Sequence, residues 1–426
     1  MKSGIGHRGT TPARAAARGA RRLAVVGAAL GIVVGLSAGL APVAMADSAQ
    51  AKQWYLDDMS AEQIWKVSTG KGIKVAVIDT GVNAGTPSLK GQVLTGEVTG
   101  DVAYHATKDF TGHGTTIAEM IAGTGAGGGI QGIAPGAKIL PYRVLLTSLK
   151  DKSERERTPE PAEAVRAAAD SDAQIINMSI GQDTLDPDMK AAVKYAYSKG
   201  KLMFASVGND AEKKNLVDYP AAYAGVVGVA ALDESGQVGK FSEHGDFVDL
   251  SAPGLKLPYW CDASFKSYCS NGDGTSFASA YASASAALIW ADHPDWTANQ
   301  VLRVLIDTAG RDWPKNKPST YLGYGVVRPA RNLLKGEGNP GSANVDPITN
   351  QTTEAVGAKS GTTPSASASG SSQAPKTTSG GETSAAGSST ESSSSNNTLW
   401  IALGAVAAVI VIGGGGMAVM RARRSR

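Results

Sequence analysis

Val75-Ala76-Val77-Ile78-Asp79-Thr80-Gly81 is a short apolar run, rich in β-branched residues, that ends in a carboxylate and then in a glycine-broken turn. Similar runs recur at Lys138–Val144, Gln174–Met178, Leu202–Val207 and Val226–Ala230, and the first of the set begins at Ile73. Between them lie alanine-rich stretches with helical character at Pro161–Ala169, Asp188–Lys199, Ser276–Ala291 and Ala298–Thr308. Short apolar strands alternating with helices imply an α/β fold whose mostly parallel sheet is covered on both faces. In such a sheet, functional groups gather at the carboxyl ends of the strands. Asp79 sits at one such end. The charged run Lys150–Arg157 is expected to be a solvated loop.

Three further strings could carry chemistry beside Asp79. A carboxylate at a strand end serves equally well as a turn or N-cap residue when taken alone. Gly112-His113-Gly114-Thr115 opens a helical stretch, with a histidine between two glycines that let other backbone approach closely. Gly274-Thr275-Ser276-Phe277-Ala278-Ser279 leads into a long alanine-rich helix. Serine at a helix start is commonly an N-cap, yet its Oγ can also be exposed in a field that favours developing negative charge. Ser206-Val207-Gly208-Asn209 follows an apolar strand and ends in an amide donor, although Gly-Asn alone is only a turn. Together these residues supply an orienting acid, a base, a nucleophile and an oxyanion donor, the set that acyl transfer needs.

The ends of the chain carry different information. Residues 1–46 read as a secretory signal peptide. A basic region with six Lys and Arg up to Arg22 precedes an apolar stretch to Leu40 and the small-x-small signal Ala44-Met45-Ala46. An uncleaved N-terminal anchor is the alternative. Residues 47–72 form an N-terminal extension, 73–334 the globular head, and 335–397 a Ser/Thr/Gly/Pro-rich stalk expected to be disordered. Residues 398–420 are apolar and uncharged, long enough to cross a bilayer, and 421–426 form an arginine-rich tail that belongs in the cytoplasm. A removed lipid-anchor signal is the competing reading of that end. With 41 basic and 38 acidic side chains, the net charge of +3 gives no reason to expect a nucleic-acid partner. The only two cysteines, Cys261 and Cys269, lie eight positions apart in an exported domain, which predicts a disulfide rather than two free thiols. No His/Cys cluster suggests a metal, and no cofactor is expected.

The order Asp, His, Asn, Ser and the strings VAVIDTGV, GHGT, NMSIG, VGN and GTSFAS resemble the subtilases from about Trp54 to Leu334. The resemblance implies a subtilisin-like three-layer sandwich and serine endopeptidase activity on polypeptides. It makes Asp79, His113 and Ser276 the catalytic triad and Asn209 the oxyanion donor. Asn177-Met178-Ser179-Ile180-Gly181 is similar to the family's substrate-binding edge strand, with Ser179, Ile180 and Gly181 against the peptide. Ser206, Val207 and Gly208 would form another wall of the same cleft. Two positions depart from the family pattern: Ala280 where proline is frequent, and Glu119 where glycine is frequent. The cleft strings NMSIG and VGN contain no acid, so a strict preference for Lys or Arg is not supported.

Only 47–72 separates the expected cleavage site from the first strand, too short for an inhibitory domain. With the stalk, the apolar segment and the basic tail, this layout resembles the mycosins, membrane-anchored subtilases of actinobacterial type VII secretion. That resemblance implies a single-pass membrane protein with an extracellular head, and a type VII membrane complex as partner. It also implies that Trp54-Tyr55-Leu56 through Trp65 pack on a head that is competent as it stands. The other reading is a catalytically idle scaffold that stabilises a membrane complex.

Overall fold

A computed structural model describes residues 49–353. The expected signal peptide, membrane helix and basic tail lie outside those residues, as does the stalk beyond residue 353. Among the described residues, no helix is long and apolar enough to cross a membrane.

Six strands form one sheet: β1 (Lys74–Asp79), β2 (Lys138–Arg143), β3 (Ile175–Met178), β4 (Leu202–Ser206), β5 (Val226–Leu232) and β6 (Leu250–Pro253). Every pairing is parallel, in the order β2-β1-β3-β4-β5-β6. The five expected strands are present to within a residue or two. β6 escaped notice because it is four residues long and ends in Pro253. Proline cannot donate to a ladder, so it belongs at a sheet edge. A separate antiparallel hairpin joins β7 (Leu257–Trp260) to β8 (Tyr268–Gly272).

The period-2 geometry of a strand explains why β1 is apolar throughout. Val75 and Val77 enter one core, and Ala76 and Ile78 enter the other. The described helices are α1 (Trp54–Asp58), α2 (Ala61–Ile64), α3 (His113–Ala122), α4 (Lys152–Arg155), α5 (Pro161–Asp170), α6 (Pro187–Ser198), α7 (Thr275–Asp292), α8 (Ala298–Thr308) and α9 (Pro329–Lys335). Helices α3, α7 and α8 cover the face of Val75 and Val77, and α5 and α6 the face of Ala76 and Ile78. The result is a three-layer α/β sandwich. Helix α7 is buried on all sides up to Trp290, because its many Ala and Ser side chains let β3 to β6 approach closely.

Two boundaries differ from expectation. The charged run at 150–157 is not merely solvated. It contains α4, and Glu154 reaches back to the buried guanidinium of Arg143 at 2.8 Å and to His105 at 3.1 Å. These two partners hold the Glu154 carboxyl at about 2. The head also continues past residue 334. Asp346 is buried and accepts from Tyr197 OH at 2.7 Å, Arg303 donates to the Val345 carbonyl at 2.8 Å, and Asn299 donates to Thr353 Oγ1 at 2.6 Å. Composition is blind to this because Ser, Gly and Asn supply backbone carbonyls and hydroxyls, not apolar bulk.

The N-terminal extension packs as the aromatic residues suggest. Tyr55 and Ile64 are fully buried, and Tyr55 meets Tyr281 edge to face at 5.9 Å. Gln50, Gln53, Trp54, Trp65 and Ser68 donate to the carbonyls of Gly125, Gln131, Leu255, Ile133 and Leu288. None of these bonds goes to Asp79, His113, Asn209 or Ser276. Deleting residues 47–60 is therefore expected to cost on the order of 3–5 kcal/mol of stability, the range for stripping a buried aromatic side chain. Turnover of a small peptide should not rise. A large gain in turnover on truncation would make the segment an inhibitor.

Candidate active site

Asp79 ends β1 and is fully buried. The amide of Thr80 donates to its Oδ1 at 2.7 Å. His113 is the first residue of α3, and its Nδ1 lies 2.7 Å from the same Oδ1. Donation from Nδ1–H leaves Nε2 as the free acceptor of the ring. Burial lowers the imidazole's pKa, but the Asp79 charge, its hydrogen bond and the more distant Asp109 outweigh it, so the net shift is upward. Glycine is needed for this pairing. A Cβ on Gly114 would lie 3.0 Å from the Cβ of Asp79 and would collide with the Gly81 carbonyl.

Asp109, which lies outside the motif strings, builds the turn into α3. Asp109 is buried and accepts at Oδ1 from Thr80 Oγ1 at 2.7 Å and from the amides of Thr111 and Gly112 at 2.9 Å. Its Oδ2 accepts from the amide and hydroxyl of Thr115, at 2.9 and 2.7 Å. One carboxylate thus joins the turn after β1 to the first turn of α3, where negative charge is favoured. The visible signal was an acid four positions before the His of GHGT. Asp109→Ala should leave these donors unsatisfied and cost about 3 kcal/mol or more, read as a lowered urea midpoint.

Ser276 is the second residue of α7, near the positive end of its dipole. It is 8% exposed. His113 and Ser276 are not hydrogen-bonded to each other, a looseness common in unliganded sites. Helices α3 and α7 pack together, so both residues lie at the starts of neighbouring helices. Asn209 is exposed just after β4. Its Oδ1 accepts from the amide of Thr275 at 2.9 Å and from Thr275 Oγ1 at 3.0 Å. With the oxygen end held by the residue before Ser276, the NH2 end is left to donate.

The expected edge strand needs correction. Asn177 and Met178 belong to β3, which is paired on both sides and has no free edge. Asn177 is fully buried, and its Oδ1 accepts from Ser279 and Ser283 of α7 at 2.8 and 3.0 Å. Its amide donates to Ser179 Oγ at 2.9 Å, and Ser179 donates to the Ser276 carbonyl at 3.1 Å. This relay anchors the start of α7 from below. Residues 179–181 run beyond the end of β3, where its ladders no longer pair the backbone. Ile180, Gly181, Leu146, Met189 and Tyr219 line an adjoining cavity of about 150 Å³. Ser206 donates to the Ile180 carbonyl at 3.4 Å, so the two expected walls touch. Val207 turns its side chain into the core and offers the cleft only backbone. An acid from outside the strings NMSIG and VGN does approach this region. A Cβ on Gly181 would lie 2.5 Å from both carboxylate oxygens of Asp218.

The two departures from the family pattern are accommodated. Ala280 is buried within an unbroken α7. Glu119, fully buried in α3, accepts from Thr86 Oγ1 and from Tyr268 OH, each at 2.7 Å. Burial pushes its carboxyl up to about 7 against those hydrogen bonds. Tyr268 belongs to the β7–β8 hairpin, which the Cys261–Cys269 disulfide closes. Trp260 of the same hairpin donates its amide to Thr116 of α3 at 3.0 Å. The hairpin therefore braces the helix that carries His113. By loop length alone, the cross-link is worth about 2–3 kcal/mol.

An acid–imidazole pair at the start of one helix, packed against a second helix that begins Thr275-Ser276, on a parallel α/β sheet, is the arrangement expected of a serine peptidase. The family model described as "Subtilase family" matches residues 70–325, more than half of the chain, and the chain belongs to that family. Thermitase of Thermoactinomyces vulgaris is 31% identical over 281 residues, covering 64% of this chain and 95% of thermitase. Minor extracellular protease Epr of Bacillus subtilis (strain 168) is 34% identical over 286 residues, but the chain spans only 41% of its length. Among solved structures, the MycP3 protease from the type VII (ESX-3) secretion system matches with a TM-score of 0.53 and 28% identity, covering 65% of this chain and 87% of that one. MycP1 from Mycobacterium smegmatis matches with a TM-score of 0.53 and 26% identity, covering 68% and 86%.

Proposed function

We propose that this chain is an exported, membrane-anchored serine endopeptidase that works in type VII protein secretion. Ser276 Oγ attacks the scissile carbonyl and passes its proton to His113 Nε2, forming the Oγ–C bond of a tetrahedral intermediate. Asp79 holds the imidazole in the tautomer with Nδ1 protonated and stabilises the imidazolium. The amide of Asn209 donates to the oxyanion. Collapse breaks the C–N bond, and His113 returns the proton to the leaving amine. Water then hydrolyses the acyl-enzyme by the same path in reverse roles. The observation that carries this reading is the 2.7 Å Asp79–His113 pair at the start of the helix packed against α7.

The likeness to MycP1 and MycP3 supports the secretion context, and the apolar segment 398–420 with its arginine tail supports the anchor. In this reading 1–46 is removed on export, the head binds polypeptides, and the stalk up to 397 tethers it outside the membrane. A fluorophosphonate probe tests the chemistry. It should label the purified protein at Ser276, and labelling should vanish in Ser276→Ala and drop sharply in His113→Ala. No labelling of a folded wild-type head would leave an idle scaffold as the better description.

A further inference from the structure

Two backbone segments flank Ser276. One is 179–181, tied through Ser179 to the Ser276 carbonyl, and the other is 206–209, tied through Asn209 to Thr275. A peptide whose scissile carbonyl sits between Ser276 and Asn209 must lay the side chain of its acyl residue between these segments. Carboxylates occupy the space behind them. Besides approaching Gly181, Asp218 Oδ2 would lie 2.7 Å from a Cβ on Gly208, and that same Cβ would collide with Glu243 Oε2. Asp218 therefore stands between the two segments, and Glu243 stands behind Gly208. Only glycine at both positions leaves room for them, and Gly208, at φ +106°, is in a backbone region that favours glycine in any case.

Backbone amides reach both acids, those of Gln182 and Tyr219 on Asp218 and those of Leu216 and Asp210 on Glu243, but one oxygen of each is left over. Glu243 is 4% exposed, and its Oε2 is buried without a hydrogen-bond partner; Asp218 Oδ1 is likewise buried and unpartnered. The charges acting on them are more acids: Asp218 and Asp210 on Glu243, Asp183 and Asp210 on Asp218. Burial first, with those neighbours adding to it and the backbone hydrogen bonds opposing it, pushes Asp218 up to about 6 and Glu243 up to about 7. A buried acid without a partner is costly, and a cation brought by another molecule removes the cost. Two adjacent carboxylates match the donors of a guanidinium or an ammonium group.

We propose that Asp218 and Glu243 form the floor of a slot that selects a lysine or arginine side chain on the acyl side of the scissile bond. The inference rests on Ser276 being the nucleophile, and it names the substrate class of that site. A positive charge on the peptide favours the carboxylate form of both acids.

Two measurements test it. In the first, matched peptides differing only in the residue before the scissile bond are hydrolysed by the wild-type protein. Arg or Lys should exceed Leu in kcat/KM by about tenfold or more, because a buried acid facing an apolar side chain stays unpaired. Asp218→Asn should collapse that ratio about tenfold, and the isosteric Glu243→Gln should reduce it in the same direction. A wild-type ratio near one, or a ratio untouched by both variants, overturns the proposal. In the second, benzamidine binding is measured calorimetrically on Ser276→Ala, so that no turnover is required. Binding lost on adding Asp218→Asn supports the slot, and binding that is absent or indifferent to both acids overturns it. Calcium that displaces benzamidine, and raises the melting temperature only when Asp218 is present, would make the acids a metal site and overturn it too. Asp218-dependent benzamidine binding in a protein that cleaves no peptide would sink the peptidase reading and leave the slot standing. Hydrolysis without basic preference would do the reverse.

Discussion

Replacing Ser276 or His113 with alanine, or Asp79 with asparagine, is expected to remove nearly all peptide hydrolysis, on the order of 10⁴–10⁶-fold in kcat. The head should stay folded. Ser276 Oγ has no hydrogen bond to lose, and asparagine fills the space of Asp79. The three side chains move one proton between them, so pairing two of the changes should cost little more than one. Multiplying losses would show that the groups act separately. The pH dependence gives a second check. His113 must be neutral to accept the serine proton, and the Asp79 carboxylate raises its pKa above the ordinary value of about 6.5. Activity should therefore be full above that raised pKa and fall as the pH drops through it. Removing the Asp79 charge should move the acid limb of whatever activity remains to lower pH.

Asn209→Ala should lower kcat by roughly 10²–10³ with little change in KM, the magnitude known for the side-chain oxyanion donor of subtilisin and carried over by family likeness. The donor acts on charge that exists only in the transition state, so substrate binding is nearly untouched. Thr275→Val offers a finer test. It deletes the hydroxyl that holds Asn209 Oδ1 and leaves the amide bond from the same residue. A partial loss of kcat, smaller than that of Asn209→Ala, is expected. A change under about threefold in Asn209→Ala would remove Asn209 from the chemistry.

Much of the scaffold was legible because its signals are local. A strand shows its two buried faces as a short apolar run, as β1 does. A helix built of Ala and Ser between sheet and neighbours shows it can be enclosed, as α7 is. The residues proposed to carry the chemistry stand out in the sequence because each lies at or just beyond the end of such an element. Strand β6 and the segment 336–353 were not. The first is too short to show a period, and the second is held by hydroxyls and carbonyls that composition does not count.

By itself, the sequence determined the alternation of strands and helices, the order Asp79, His113, Asn209, Ser276, and the pairing of the only two cysteines. Only the tertiary structure decided that Asp109 holds the turn into α3, that Thr275 holds the Asn209 Oδ1, and that β3 is central, with residues 179–181 running beyond it. It alone brought Asp218 and Glu243, remote in sequence from Gly181 and Gly208 respectively, to the back of those glycines. The physical reason is the range of the forces. Burial and backbone propensity act over a few residues and leave a periodic trace. A carboxylate's environment depends on which loop closes against it, and loop paths are set by the whole packed sheet.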